Sequence, residues 1–171
     1  MTGKPDSIKA DYAESSQAHI LRLHGDVRYG DVIALQQFIT QLSNPVKPFR
    51  IDLTRCSHLD STALGTLALV AKLGKESGVS KPEVLVREGV LLETLLGVCF
   101  DLVFRLSVTD QGIESADFSE IEPLNTVQPD SLETLQNVVS TAHQSLADIS
   151  EKNTLIFKDV NLLLSALAKK E

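Results

Sequence analysis

The stretch FRIDLTRCSHLDSTALGTLALVAKLGKESG, residues 49–78, decides the fold. Its first part, Phe49 to Leu53, is a short apolar run of the kind that forms a buried strand. Its second part, Ser61 to Lys75, places Leu64, Leu67, Ala68 and Ala71 at helical spacing, and Gly78 stands beyond the helix end. A strand leading through a short loop into a helix is half of a β–α–β unit, and the flanking sequence supplies the rest.

Upstream, Ile8 to Tyr12 reads as a short edge strand, Glu14 to Gln17 as a hairpin turn, and His19 to His24 as a strand ended by Gly25. Asp31 starts a helix in which Val32, Leu35, Phe38, Ile39 and Leu42 recur on one face, and Asn44-Pro45 stops it. Downstream, Glu83 to Val86 is a strand, Val90 to Val98 a helix and Leu102 to Val108 a strand. The alternation predicts an α/β fold with a mixed, mostly parallel sheet and crossover helices. Gly74-Lys75 lacks the glycine-rich loop that a phosphate-binding motif requires, so nucleotide binding is rejected.

Charge divides the 171 residues unevenly. Residues 114–171 hold 10 acidic and 4 basic side chains, a net of -6, whereas residues 1–113 are near neutral at -1. The segment Thr109 to Asp130, with Gly112, Pro123 and Pro129, has little periodicity. The expected organisation is a first domain over 1–113, a linker over 114–130 and an α-helical extension over 131–171.

The overall net charge of -7 argues against a nucleic-acid footprint. No stretch approaches the roughly 20 apolar residues of a membrane span, and the polar N-terminus lacks a signal-peptide core. A cytoplasmic protein is expected, with Cys56 and Cys99 as reduced thiols. No Cys/His grouping has zinc-ligand spacing, and no metal or other cofactor is expected. Cys56 with His58 is a weak catalytic signal, and a small buried residue at a strand end is the favoured role for the cysteine.

The run Phe49 to Gly65, with its Ile51-Asp52-Leu53 strand and Asp60-Ser61 at a helix start, resembles the signature of STAS domains. The surrounding element order, strand-strand-helix-strand-helix-strand-helix-strand, is similar too, as is Gly25-Asp26 after an early strand. The resemblance covers about Ile8 to Val108. It departs at Ala63, where the family usually has Gly, and the first helical turn is bulkier for it. The resemblance implies an anti-sigma-factor antagonist rather than an enzyme. Such a protein binds an anti-sigma factor, often itself a serine kinase, while unphosphorylated. Phosphorylation at Ser61 releases it, and a serine phosphatase, in some systems on a response regulator, restores it. Thr62 is a competing acceptor. Asp60, Ser61, Thr62 and Leu64 are the expected partner-binding residues. The alternative is a STAS adaptor in a transport complex or stress-signalling scaffold without phospho-switching.

Ser61 makes physical sense in this role. A helix N-terminus favours an anion, and a phosphate adds about -1.5 to -2 charge at neutral pH. The plainer role for a serine at this position is a helix cap. Asp52 and Asp60 resemble paired carboxylates, yet no nucleophile or base stands near them in sequence, so structural or recognition roles are favoured.

The extension carries a heptad seam: Leu132, Leu135, Val139, Ala142, Leu146, Ile149, Asn153, Ile156, Val160, Leu163 and Leu167. Two structures fit, one long helix or a helical hairpin turning at Asp148 to Lys152, where Asp148 and Glu151 have capping-type spacing. The seam either pairs with another copy, a homodimer held by Leu146, Asn153, Ile156, Val160 and Leu163, or packs on the first domain. His143 is expected at the surface beside the seam. A histidine phosphotransfer role is disfavoured, because about forty residues do not make a four-helix bundle.

Overall fold

Two antiparallel strands, β1 (Ala10–Glu14) and β2 (His19–Val27), come first in the fold. Ser15 makes the turn between them, its hydroxyl oxygen accepting hydrogen bonds from the Gln17 and Ala18 amides. The computed structural model describes residues 9–42, 47–114, 116–120 and 132–169. Ile8, expected in the first strand, lies outside them, as do Asn44 and Pro45, and Pro123 and Pro129 of the expected linker. The first strand runs on to Glu14, two residues beyond the expected Tyr12, while β2 starts at His19 as expected.

From β2 the chain alternates through α1 (Tyr29–Gln41), β3 (Phe49–Leu59), α2 (Ser61–Glu76), β4 (Glu83–Val86), α3 (Val90–Gly97) and β5 (Arg105–Val108). The pairs β2–β3, β3–β4 and β4–β5 are parallel. A short strand β6 (Ser119–Glu120) pairs antiparallel with β1, giving the order β5-β4-β3-β2-β1-β6. The expected α/β class with a mixed, mostly parallel sheet is therefore observed. Residues 119–120, inside the expected linker, belong to the sheet.

The four parallel strands step across the sheet in one direction. Right-handed crossovers then put α1, α2 and α3 on one face. Strand alternation agrees: Leu21, Leu23, Ile51, Leu53, Val84 and Val86 point into the core with Leu35, Leu67 and Leu95. The other face is polar. There the Asp11 carboxylate accepts hydrogen bonds from Arg22, Arg50 pairs with Glu83 at 2.8 Å, and Asp52 accepts from the Thr54 and Ile113 amides.

Several boundaries differ from the sequence pattern for identifiable reasons. Strand β2 runs through Gly25 to Val27, because the positive φ of that glycine falls at a register shift against β3 rather than at a strand end. Strand β3 continues past Leu53 to Leu59: β4 stops pairing at Asp52, but β2 keeps pairing with Arg55, Cys56, His58 and Leu59. Helix α1 starts at Tyr29, since Asp31 accepts a hydrogen bond from the Arg28 amide and closes the first turn two residues early. The expected last strand starts at Arg105 rather than Leu102, because a 3-10 turn, Phe100–Leu102, runs into it, with Phe100 and Phe104 buried against each other.

The extension forms α4 (Leu132–Ala147), α5 (Glu151–Ile156) and α6 (Lys158–Ala168), so it is not one long helix. The break falls where the hairpin turn was expected. Ser150, not Asp148, caps α5 by accepting from the Asn153 amide. Helix α4 lies on α2 and touches α1, where Gln36 donates a buried hydrogen bond to the Val138 carbonyl. Sheet, α2 and α4 thus form three layers.

Candidate functional site

Parallel strands β2, β3 and β4 end at one edge of the sheet, the edge where open α/β sheets hold ligands and partners. Three turns meet that edge: Arg28-Tyr29, Asp60-Ser61 and Arg87 to Val90. Asp60 organises the first two. Its backbone is extended and its Oδ1 accepts from the Ala63 amide at 2.8 Å, which caps α2. Its Oδ2 accepts from the Tyr29 amide at 2.7 Å, at the start of α1. One carboxylate therefore serves two helix N-termini, where its charge is also favourable.

This division of labour fixes the role of the neighbouring serine hydroxyl. Ser61 is the first helical residue, and the cap is Asp60. The Ser61 hydroxyl points to α4, where its Oγ lies 2.9 Å from His143 Nε2. His143 Nδ1 lies 2.8 Å from the Val139 carbonyl and donates to it. In the neutral ring that bond sets the tautomer, leaves Nε2 as an acceptor, and makes Ser61 the donor. Phe157 meets the ring edge-on at 6.0 Å.

His143 is thus buried, 5% exposed, and not the surface residue expected. The signal was present in the sequence. His143 stands four residues after Val139 and three before Leu146, on the seam side of α4. Its partner, 82 positions away in the chain, was not visible.

The expected partner-binding residues separate. Asp60 and Ser61 lie at the edge, but Thr62 and Leu64 are each only 5% exposed, and Leu64 packs in the main core. They do not present a surface in this conformation. The exposed apolar groups on the turns of this edge are Tyr29 and Val90, which no sequence pattern singled out. The seam residues separate too. Leu146 and Asn153 are fully buried within the chain, whereas Ile156, Val160 and Leu163 remain exposed. Asn153 donates to the Val98 and Leu146 carbonyls at 2.7 and 2.9 Å, so it fixes α5 on its own chain rather than the register of a pair.

The other chemical candidates are weaker. Burial pushes the pKa of the Cys56 thiol up to about 11; a hydrogen bond with the His58 backbone opposes the shift, and Asp26 adds to it. Little thiolate exists at neutral pH, which disfavours a nucleophile. Asp26 is held below the usual carboxylate range, chiefly by its hydrogen bond from Arg28 and also by His58. Among the described residues, no cluster of three His, Cys, Asp or Glu side chains has the arrangement of a metal site, and no helix is long and apolar enough to cross a membrane. A cleft of about 370 Å³ opens between α2 and the end of α4, beside Lys72, Lys75, Lys81 and Asp148, and Ser61 does not line it. Ser61 and His143 form a hydroxyl–imidazole pair. The Val139 carbonyl orients the imidazole.

No family model matches the chain, and no curated protein sequence matches it.

Proposed function

We propose that the chain is a STAS-like anti-sigma-factor antagonist, a cytoplasmic, non-enzymatic signalling switch whose phosphorylation site is Ser61. The observation that carries this reading is the division of tasks between Asp60 and Ser61. Asp60 does the capping, so the serine hydroxyl at the helix N-terminus is not committed to holding the helix. Modifying it leaves α2 its cap.

In this reading the unphosphorylated chain binds an anti-sigma factor or serine kinase at the edge bearing Asp60, Ser61 and Tyr29. A phosphate on Ser61 adds about -1.5 to -2 charge beside the Asp60 carboxylate. An acidic or apolar partner surface is then repelled or left poorly solvated. A partner phosphatase restores binding. Tyr29 offers the apolar contact, as exposed aromatic residues commonly do at interfaces.

The test is intact-mass and peptide mass spectrometry on the chain purified from its own cells, with and without phosphatase treatment, beside Ser61→Ala. One phosphate on Ser61, absent in the variant, is the expected result. Ser61→Ala should also hold its partner constitutively, and Ser61→Asp should bind more weakly. Absence of phosphate under growth and stress conditions, with a transporter subunit co-purifying, would replace this reading by the adaptor one.

A further inference from the structure

We propose that α4 is a built-in competitor for the outer face of α2, so that the chain has a closed state with the Ser61 hydroxyl held by His143 and an open state with that hydroxyl and that face free together. What the open state binds rests on the phospho-switch reading; the cover itself does not.

Helix α2 is buried on every side over most of its length. Residues 62–71 are all buried, although a helix lying on one face of a sheet exposes its outer stripe to water. Here the outer stripe is taken by α4. The contact is closest at Gly65: a Cβ there would stand 2.8 Å from Ala142 Cα and nearer still to its carbonyl group. The two backbones touch with no room for a methyl group. One turn away, the half-buried Ser61 has its hydroxyl held against the His143 ring.

In the present Ser61 rotamer these contacts set a phosphate against docked α4. Ser61 now donates to Nε2. A phosphoserine has no hydroxyl proton at Oγ, and its added oxygens need the volume that the buried ring fills. The ring cannot gain that space by a small shift of α4 across the α2 axis, because Gly65 and Ala142 already meet backbone to backbone. A kinase, which must free this hydroxyl from His143, therefore acts faster on the open state. Partner affinity is lowered by the fraction of molecules that are closed. A partner helix that replaces α4 must carry Gly, Ala or Ser where it crosses Gly65.

Gly65→Ala separates α4 from α2 selectively. Alanine favours helix over glycine, so α2 itself gains while the α4 contact is lost. The experiment uses the full chain carrying Ser61→Cys, with and without Gly65→Ala. Labelling of the introduced thiol by N-ethylmaleimide is followed by peptide mass spectrometry, which separates it from Cys56 and Cys99. The thiol at position 61 should label slowly in the first protein and at least about tenfold faster in the second, while far-UV circular dichroism keeps the sheet signal. Val138→Asp, which places a charge on the buried side of α4, should give the same acceleration if Gly65→Ala does not fold.

A thiol at position 61 that labels at the rate of an unstructured peptide without Gly65→Ala would overturn the proposal, as would slow labelling unchanged by a folded opening variant. The functional reading fails separately. Acceleration by Gly65→Ala in a chain never phosphorylated in its own cells removes the phospho-switch and keeps the cover. Phosphate at Ser61 with no acceleration does the reverse.

Discussion

Asp60 Oδ2 accepts a hydrogen bond from the Tyr29 amide at 2.7 Å, which ties the start of α1 to the start of α2. The same carboxylate caps α2 through Ala63. Losing one side chain therefore strands two amides in different helices. Asp60→Ala should lower stability by about 2–3 kcal/mol, a cap plus a second broken charge-assisted bond. Asp60→Asn keeps one carbonyl acceptor and should cost about 1 kcal/mol. Urea unfolding checks both values. A loss under about 0.5 kcal/mol in Asp60→Ala would mean that water serves the two amides equally well.

Asn153 anchors the extension. It is fully buried and its amide nitrogen donates to two carbonyls, one from α4 and one from the end of α3, while its Oδ1 has no partner among the described residues. Asn153→Asp puts an acceptor against two acceptors in a buried site. It should cost more than Asn153→Ala, which loses the two bonds and leaves a small cavity at about 2–3 kcal/mol. The ordering Asp worse than Ala, read from thermal unfolding at pH 7, is the critical result. An Asp variant as stable as wild type would show that α5 separates from α3 and α4 in solution.

The sheet and its three crossover helices were legible because each element has its own signal. Val84 and Val86 alternate with polar or outward residues, and Leu64, Leu67 and Ala71 recur at helical spacing. Boundaries set by a neighbour were not legible. The extra length of β3 depends on how far β2 continues beside it, and nothing between Thr54 and Leu59 encodes that. At the site, Asp60-Ser61 stood out from its strand and helix context, but its cover did not. Heptad spacing in the extension reports an apolar stripe without naming what the stripe meets. The stripe of α4 meets α2 of its own chain, and Gly65, which permits that approach, looks in sequence like an ordinary small helical residue.

Acid sensitivity should arise first at His19. The ring is 7% exposed, lies against Phe49, and its Nδ1 is 2.7 Å from the Tyr12 hydroxyl. Burial holds its pKa below 6.5; Glu14 opposes that shift and Lys47 adds to it. As pH falls through the ordinary histidine value, the unfolded chain takes up a proton before the folded chain does. Stability therefore rises with pH in this window, is fully present above about 6.5, and declines as pH falls toward the folded pKa. The unfolding midpoint in urea should drop between pH 7.5 and pH 5.5. His19→Gln, which stays neutral, should flatten that slope while starting from a lower stability at pH 7.5. Asp26, held low by Arg28 and His58, acts in the same direction in a more acidic window, below its ordinary carboxylate value near 3.8. The two contributions separate by pH. A slope between pH 7.5 and 5.5 that survives unchanged in His19→Gln would place the sensitivity on another group.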